Sequence, residues 1–260
     1  MKKNYFLVAL LSFVMVTMNA QFTDDCESYP GNNTPVLNEI WGSWDGTEAT
    51  AILSSGAQSQ DGSLSVLVDG SGIDPILLLG NKIFGAWGLK FSMYIPSGKI
   101  GYLNVQGDET PGIQWVIGNV TFGEGNSGAD DEFTGRIDWS TADTEDDAVF
   151  TFPKDQWFDV IMDFNLETGT STSTFAMWVD GAEVVAEGTP FADKADPPVY
   201  AQSLGSLNLY SSASNCEMYF DTVEYKNEYF GDPNLSVESI ESKGFRSAMS
   251  NGTLTLRAQE

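Results

Sequence analysis

Histidine is missing from all 260 residues, which excludes Ser-His-Asp and Cys-His nucleophile sites, His-ligated zinc and an imidazole general base. Basic residues are scarce too. Twelve Lys and Arg stand against 37 Asp and Glu, for a formal charge of −25. A surface of that sign repels phosphate backbones, so no nucleic acid partner is expected. Beyond the opening segment no apolar run is long enough to cross a bilayer. Cysteine occurs twice, at Cys26 and Cys216. What is plentiful is apolar and aromatic content, at 42% and 12%. That is too rich for a disordered acidic chain, so the charge coats something folded.

Residues 1–20 read as a secretory signal peptide: a basic Met1-Lys2-Lys3 start, an apolar run over 5–18, and a small residue, Ala20, after which cleavage is expected. The product is expected to be secreted or held on the outer cell surface. An oxidising compartment makes a Cys26–Cys216 disulfide the expected state. Closing a loop of nearly the whole domain, it would contribute about 4–5 kcal/mol on the chain-entropy model.

From residue 41 to 225 short apolar or alternating runs are punctuated by Gly, Asp, Asn and Pro. The segments 63–68, 87–95, 100–105, 112–117, 133–139, 157–166, 174–179 and 204–210 are all of strand length and rich in Val, Ile, Phe, Trp and Thr. Asp180-Gly181, between 175–179 and 183–185, is the strongest hairpin signal, because that pair supplies the positive φ of a two-residue turn. No helix of three turns and no fixed repeat stands out. The pattern predicts an all-β chain with one antiparallel β-sandwich, a jelly roll, over residues 21–230. Acidic loops over 123–131 and 141–147 are expected to be solvating. Residues 231–260 change character: they hold the short unit Leu235-Ser236-Val237 and a strand pattern over 252–257, with no expected partner inside the segment.

Two segments carry a resemblance to known families. The tail, with Leu235-Ser236-Val237-Glu238, Phe245-Arg246 and residues 250–256, resembles the opening of a type IX secretion C-terminal sorting domain. It lacks that domain's later strands, so 231–260 reads as linker and partial sorting segment, implying secretion machinery as a partner. The body carries residues 24–29, Trp157-Phe158-Asp159-Val160, Trp178-Val179-Asp180-Gly181 and residues 219–225. It resembles concanavalin-A-like and laminin-G-like jelly rolls of secreted bacterial proteins, with Cys26 where Phe is usual and Asp221-Thr222 where two acidic residues are usual.

Such jelly rolls bring their first and last strands together, which implies a structural calcium site at Glu27 and Asp221, with Asp25 or Asp24 as a third ligand. Strand alternation supplies a second candidate. Tyr102, Asn104 and Gln106 share one face of their strand, as do Glu132, Thr134, Arg136 and Asp138, and Gln114 lies opposite Trp115 in its own. Merged, the polar faces would form a concave surface for an extracellular polysaccharide or cell-surface glycan. Trp41, Trp44, Trp87, Trp157 and Trp178 are expected in the core. Catalysis has less support: the Glu-x-Asp-x-x-Glu run of glucanase-like jelly rolls is absent, and the Gln-x-His of related lyases has no His. The expected function is therefore a non-catalytic glycan-binding or adhesive surface module with structural calcium. The alternative is a polysaccharide hydrolase or lyase working from the same face, and a purely structural matrix role is a third reading.

Overall fold

The computed structural model describes residues 21–123, 132–139, 147–167, 172–193, 198–234, 245–250 and 253–258. Residues rich in β-branched and aromatic side chains pair into two stacked antiparallel sheets, as the alternation predicts. From one edge the larger sheet runs β14 (Ala182–Pro190), β13 (Thr174–Val179), β12 (Trp157–Leu166), β7 (Gly85–Tyr94), β16 (Glu217–Lys226), β5 (Ser65–Asp69), β4 (Ile52–Ser55) and β2 (Thr34–Val36). Strand β1 (Phe22–Asp24) also pairs with β16. The smaller sheet runs β11 (Ala148–Thr151), β10 (Thr134–Asp138), β9 (Trp115–Phe122), β8 (Gly101–Gln106), β15 (Leu204–Asn208), β6 (Pro75–Lys82) and β3 (Trp41–Ser43). The chain is a jelly-roll β-sandwich.

Alternate residues of both sheets fill the space between them. Leu89, Phe91 and Met93 of β7, Val160, Met162 and Phe164 of β12 and Leu103 and Val105 of β8 belong to one core cluster. Phe122 packs on Phe150, Phe152 and Phe158, and Phe164 on Phe175 and Phe191. Burying each such ring contributes about 1.5–3 kcal/mol. At Asp180-Gly181 both residues have positive φ, 49° and 77°, and the hairpin joins β13 to β14 as expected.

The larger sheet's outer face is capped. Ile161, Ala176 and Trp178 project away from the main core and form a second small cluster, against which Phe230 packs. Residues 227–234 thus run as a strap over β12 and β13. The Asp163 carboxylate accepts the amides of Phe230 and Gly231 at 3.0 and 2.8 Å, and Asn234 Nδ2 donates to the Gly181 carbonyl at 2.6 Å. Trp178 is therefore buried, though outside the main core. Trp41 and Trp87 are core residues as expected, while Trp44 and Trp157 are only half-buried.

The first and last strands of the body are neighbours, yet the disulfide expectation fails. Cys26 and Cys216 are both buried thiols. The Cys26 Sγ lies 3.9 Å from the Phe220 carbonyl oxygen in mid-β16, whereas Cys216 precedes that strand and bridges to Ile100. Four residues of strand separate the two levels, about 13 Å, well beyond disulfide reach. A second correction concerns the tail. The strand pattern there does find a partner: β17 (Phe245–Ser250) and β18 (Thr253–Ala258) form a two-stranded antiparallel sheet. The signal peptide, most of both acidic loops and the Leu235-Ser236-Val237 unit lie outside the described residues.

Candidate functional site

Residues directly opposite in an antiparallel pair point to the same face, so the registers map the outer face of the smaller sheet. One row holds Tyr102, Thr121, Arg136 and Val149, on β8 to β11. A second holds Ile76, Asn208 and Asn104, with Asn119 and its partner Asp138 beyond. A third holds Leu78, Ser206, Gln106 and Trp115. Expected residues Tyr102, Asn104, Gln106, Arg136 and Asp138 therefore share one face of the smaller sheet, with β9 inserted between β8 and β10; on it Tyr102, Asn104 and Gln106 are buried, at 8%, 2% and 0% exposure, while Arg136 and Asp138 are half-buried.

Their side chains form a hydrogen-bonded ladder across the strands. Asn104 Nδ2 donates to the Tyr102 oxygen at 3.1 Å, and the Tyr102 hydroxyl donates to Asn119 Oδ1 at 2.6 Å. Asn119 Nδ2 faces Asp138 Oδ2 at 3.4 Å. In the other direction Asn104 Nδ2 donates to Asn208 Oδ1 at 2.8 Å, and Asn208 Nδ2 to Asp74 Oδ1 at 2.5 Å. Donation thus runs outward from Asn104 and ends on a carboxylate at each side. Burial holds the Asp74 carboxyl above the usual aspartate range, opposed by the Asn208 bond. Gln106 donates to Asn104 Oδ1 at 3.2 Å, and its own oxygen accepts the Gly112 amide at 2.9 Å. Arg136 Nη1 is paired with Asp147 Oδ2 at 3.1 Å. Tyr210 meets Tyr102 edge-on with ring centroids 6.0 Å apart, and Trp115 is 52% exposed.

Two expected members are elsewhere. Glu132 precedes β10, in a turn, where its carboxylate accepts the Gly98 amide at 3.0 Å. The Gln114 side chain clamps another segment, donating to the Tyr200 carbonyl at 2.9 Å and accepting the Gln202 amide at 3.1 Å. Register shifts explain the exchange. Val105 pairs with Ile117 and Gln106 with Trp115, so β9 carries an extra residue there, and Val116 and Ile117 both turn into the core. Trp115 then faces outward beside Gln106. Asn119, Thr121, Asn208, Asp74 and Tyr210 were the other members that sequence reasoning missed. Alternation within 204–210 could have found Asn208, but its pairing with β8 is a tertiary fact.

Two of the predicted calcium ligands, Glu27 and Asp221, meet one loop, on a different chemistry. Asp221 is buried at a bulge where Thr222 has φ 50°, and its Oδ2 accepts the amides of Gln60 and Asp61 at 2.8 and 3.2 Å. Glu27 accepts the Ser63 and Leu64 amides at 2.8 and 2.7 Å and the Ser63 hydroxyl at 2.9 Å. Those amides hold the Glu27 carboxyl below the usual glutamate range, whereas burial raises that of Asp221. Asp25 accepts the Glu27 amide at 3.2 Å. Asp24 accepts from Cys26 N, Tyr29 OH and Trp41 Nε1. Gly62 lies between the gripped amides at φ 62°, and a Cβ there would stand 2.4 Å from the Glu27 carboxyl carbon. Partners that are N–H and O–H donors do not fit a cation, which needs six or more oxygens facing inward. No group of three or more His, Cys, Asp or Glu able to hold a metal occurs among the described residues.

No family model and no curated protein matches the chain. Among solved structures it is similar to an endo-1,3-beta-glucanase from Streptomyces sioyaensis, at 12% identity and TM-score 0.45 over 78% of this chain and 94% of that one. An endo-acting O-glycanase of the human gut microbiota gives 14% and 0.46 over 79% and 98%. Alginate lyase Aly36B, solved with an alginate trisaccharide, gives 8% and 0.42 over 80% and 98%. These are likenesses of fold, and the class they accompany, the antiparallel jelly-roll sandwich, is already defined by the two sheets. No helix among the described residues is long and apolar enough to cross a membrane.

Proposed function

We propose that the protein is an exported glycan-binding module that uses the outer face of its smaller sheet without catalysis. The observation that carries this reading is the ladder from Asp138 through Asn119, Tyr102, Asn104 and Asn208 to Asp74, flanked by the exposed rings of Tyr210 and Trp115. Sugar rings need polar groups for hydroxyls and flat apolar faces for stacking; on this surface Tyr210 and Trp115 supply exposed rings and the half-buried Asn119, Asp138 and Asp74 the reachable polar groups, while Tyr102, Asn104 and Asn208 between them are buried. Its amides and hydroxyl are held by one another, so little ordering is left to be done on binding.

The carboxylates argue against hydrolysis. Asp138 and Asp74 stand at opposite ends of the ladder, four strand spacings or about 19 Å apart. Glycosidase pairs work at about 5–9.5 Å. Asp147, the further carboxylate beside Arg136, is taken up by that ion pair. The alternative is a polysaccharide lyase, favoured by one observation: the Tyr102 phenol and Arg136 lie in one row. Export through residues 1–20 and the sorting-like tail completes the proposal. Structural calcium is left out of it, because the carboxylates meet donors.

A glycan array with wild type and Trp115→Ala tests the reading. Truncating an exposed ring spares the core, so wild type is expected to bind and the variant to lose at least about tenfold in affinity. A blank array from folded wild type would overturn it. Unsaturated or reducing products released from a bound polymer would replace it with the enzymatic alternative.

A further inference from the structure

We infer that the ligand class of this face is a neutral glycan, bound as a run of linked sugar rings spanning the exposed rings of Tyr210 and Trp115, and that anionic polysaccharides are excluded. The inference rests on the glycan-binding reading above and adds its specificity.

The charges of the face carry the argument. Its charged residues among those described are Asp138 and Arg136, with Asp147 beside them, and at the far end Asp74, on which Asp45 acts. The single cation is neutralised in place: Arg136 Nη1 sits 3.1 Å from Asp147 Oδ2, and that carboxylate is 5% exposed. Both ends of the ladder are carboxylates, each accepting from an asparagine amide. A carboxylate at a ladder end takes hydrogen bonds from hydroxyls and repels a uronate or sulfate. The whole chain, at −25, adds a long-range field of the same sign. Nothing on the described face offers the bidentate guanidinium that carboxylate recognition ordinarily uses.

Length follows from the rows. Tyr102 and Gln106 are four residues apart on β8, about 13 Å. The edge-on Tyr102–Tyr210 pair stands at one end and the exposed Trp115 ring at the other, beside Gln106. A ligand that rests on both the Tyr210 and Trp115 rings must cover that length, which suits an oligosaccharide better than a single sugar. Trp115 becomes the far stacking platform and a specificity-determining residue.

The test uses the full chain with neutral gluco-, manno- and galacto-oligosaccharides and with polyuronate and sulfated oligosaccharides of matched length, at low and physiological salt. The expected result is binding of at least one neutral series, increasing with length and insensitive to salt, with the anionic series at least about tenfold weaker. Trp115→Ala should remove the length dependence. Asp147→Asn, which removes one carboxylate partner of Arg136, should raise affinity for uronates most at low salt. Tighter binding of anionic chains by wild type would overturn the inference and leave the glycan-binding reading standing. Failure of folded protein to bind any series would overturn that reading itself. The wild-type salt dependence decides the charge argument even if the Asn variant fails to fold, since affinity for anions that grows as salt falls contradicts it.

Discussion

The two sheets use their outward carboxylates differently. On the larger sheet Asp163 accepts the amides of Phe230 and Gly231, Asp221 those of Gln60, Asp61 and Thr222, and Glu27, after β1, those of Ser63 and Leu64. These three grip the backbone of a crossing segment, whereas Asp159 of the same sheet accepts the Ser92 hydroxyl and pairs with Lys90. On the smaller sheet Asp138 and Asp74 accept from the side chains of Asn119 and Asn208. The first arrangement fastens chain, and the second orders a surface. The larger sheet needs fastening because Ile161, Ala176 and Trp178 point away from the core and must be covered, whereas the smaller sheet's outward residues satisfy one another.

The contrast predicts that damage to the larger sheet's outer face reads out as stability and damage to the smaller sheet's as binding. Trp178→Ala should cost about 3–5 kcal/mol in urea unfolding by emptying the space under the strap, with glycan affinity unchanged. Asp163→Ala, which strands two amides, should cost about 1–3 kcal/mol and open the strap to limited proteolysis. Glu27 sharpens the comparison through pH. Its folded pKa lies below the ordinary 4.5, so the grip on Ser63 and Leu64 is intact above that pH and lost as the pH falls below it. Glu27→Gln should flatten that part of the stability–pH curve, measured by thermal melts across the acid range. Trp115→Ala should change stability by less than about 0.5 kcal/mol while weakening binding. A chelator should leave the melting temperature unmoved, because Glu27 and Asp221 each accept three hydrogen bonds from protein donors; a drop would place a cation among them.

Much of this was legible in alternation. The outward set Tyr102, Asn104 and Gln106, the pair Arg136 and Asp138 and the Asp180-Gly181 hairpin all follow from patterns a few residues long, and the meeting of first and last strands from the resemblance to concanavalin-A-like jelly rolls. What escaped depends on register. An extra residue in β9 turned Trp115 outward and left Gln114 to hold residues 200–202. Glu132 fell short because β10 begins two residues later. The cysteines reach the same strand at levels four residues apart, an offset that neighbouring strands alone do not reveal. Of the expected calcium ligands Glu27 and Asp221 meet the loop at residues 60–64, and a carboxylate's partner, amide or cation, depends on the backbone that crosses it.

The most direct measurement is an indole N–H nuclear magnetic resonance titration of the folded protein with a neutral oligosaccharide. The chain has seven tryptophans, and two of them, Trp115 and Trp178, report on opposite outer faces. The account predicts that the Trp115 signal shifts in a saturable way while that of Trp178 stays in place. A saturable shift of Trp178 with Trp115 unmoved would put recognition on the strapped face and contradict it.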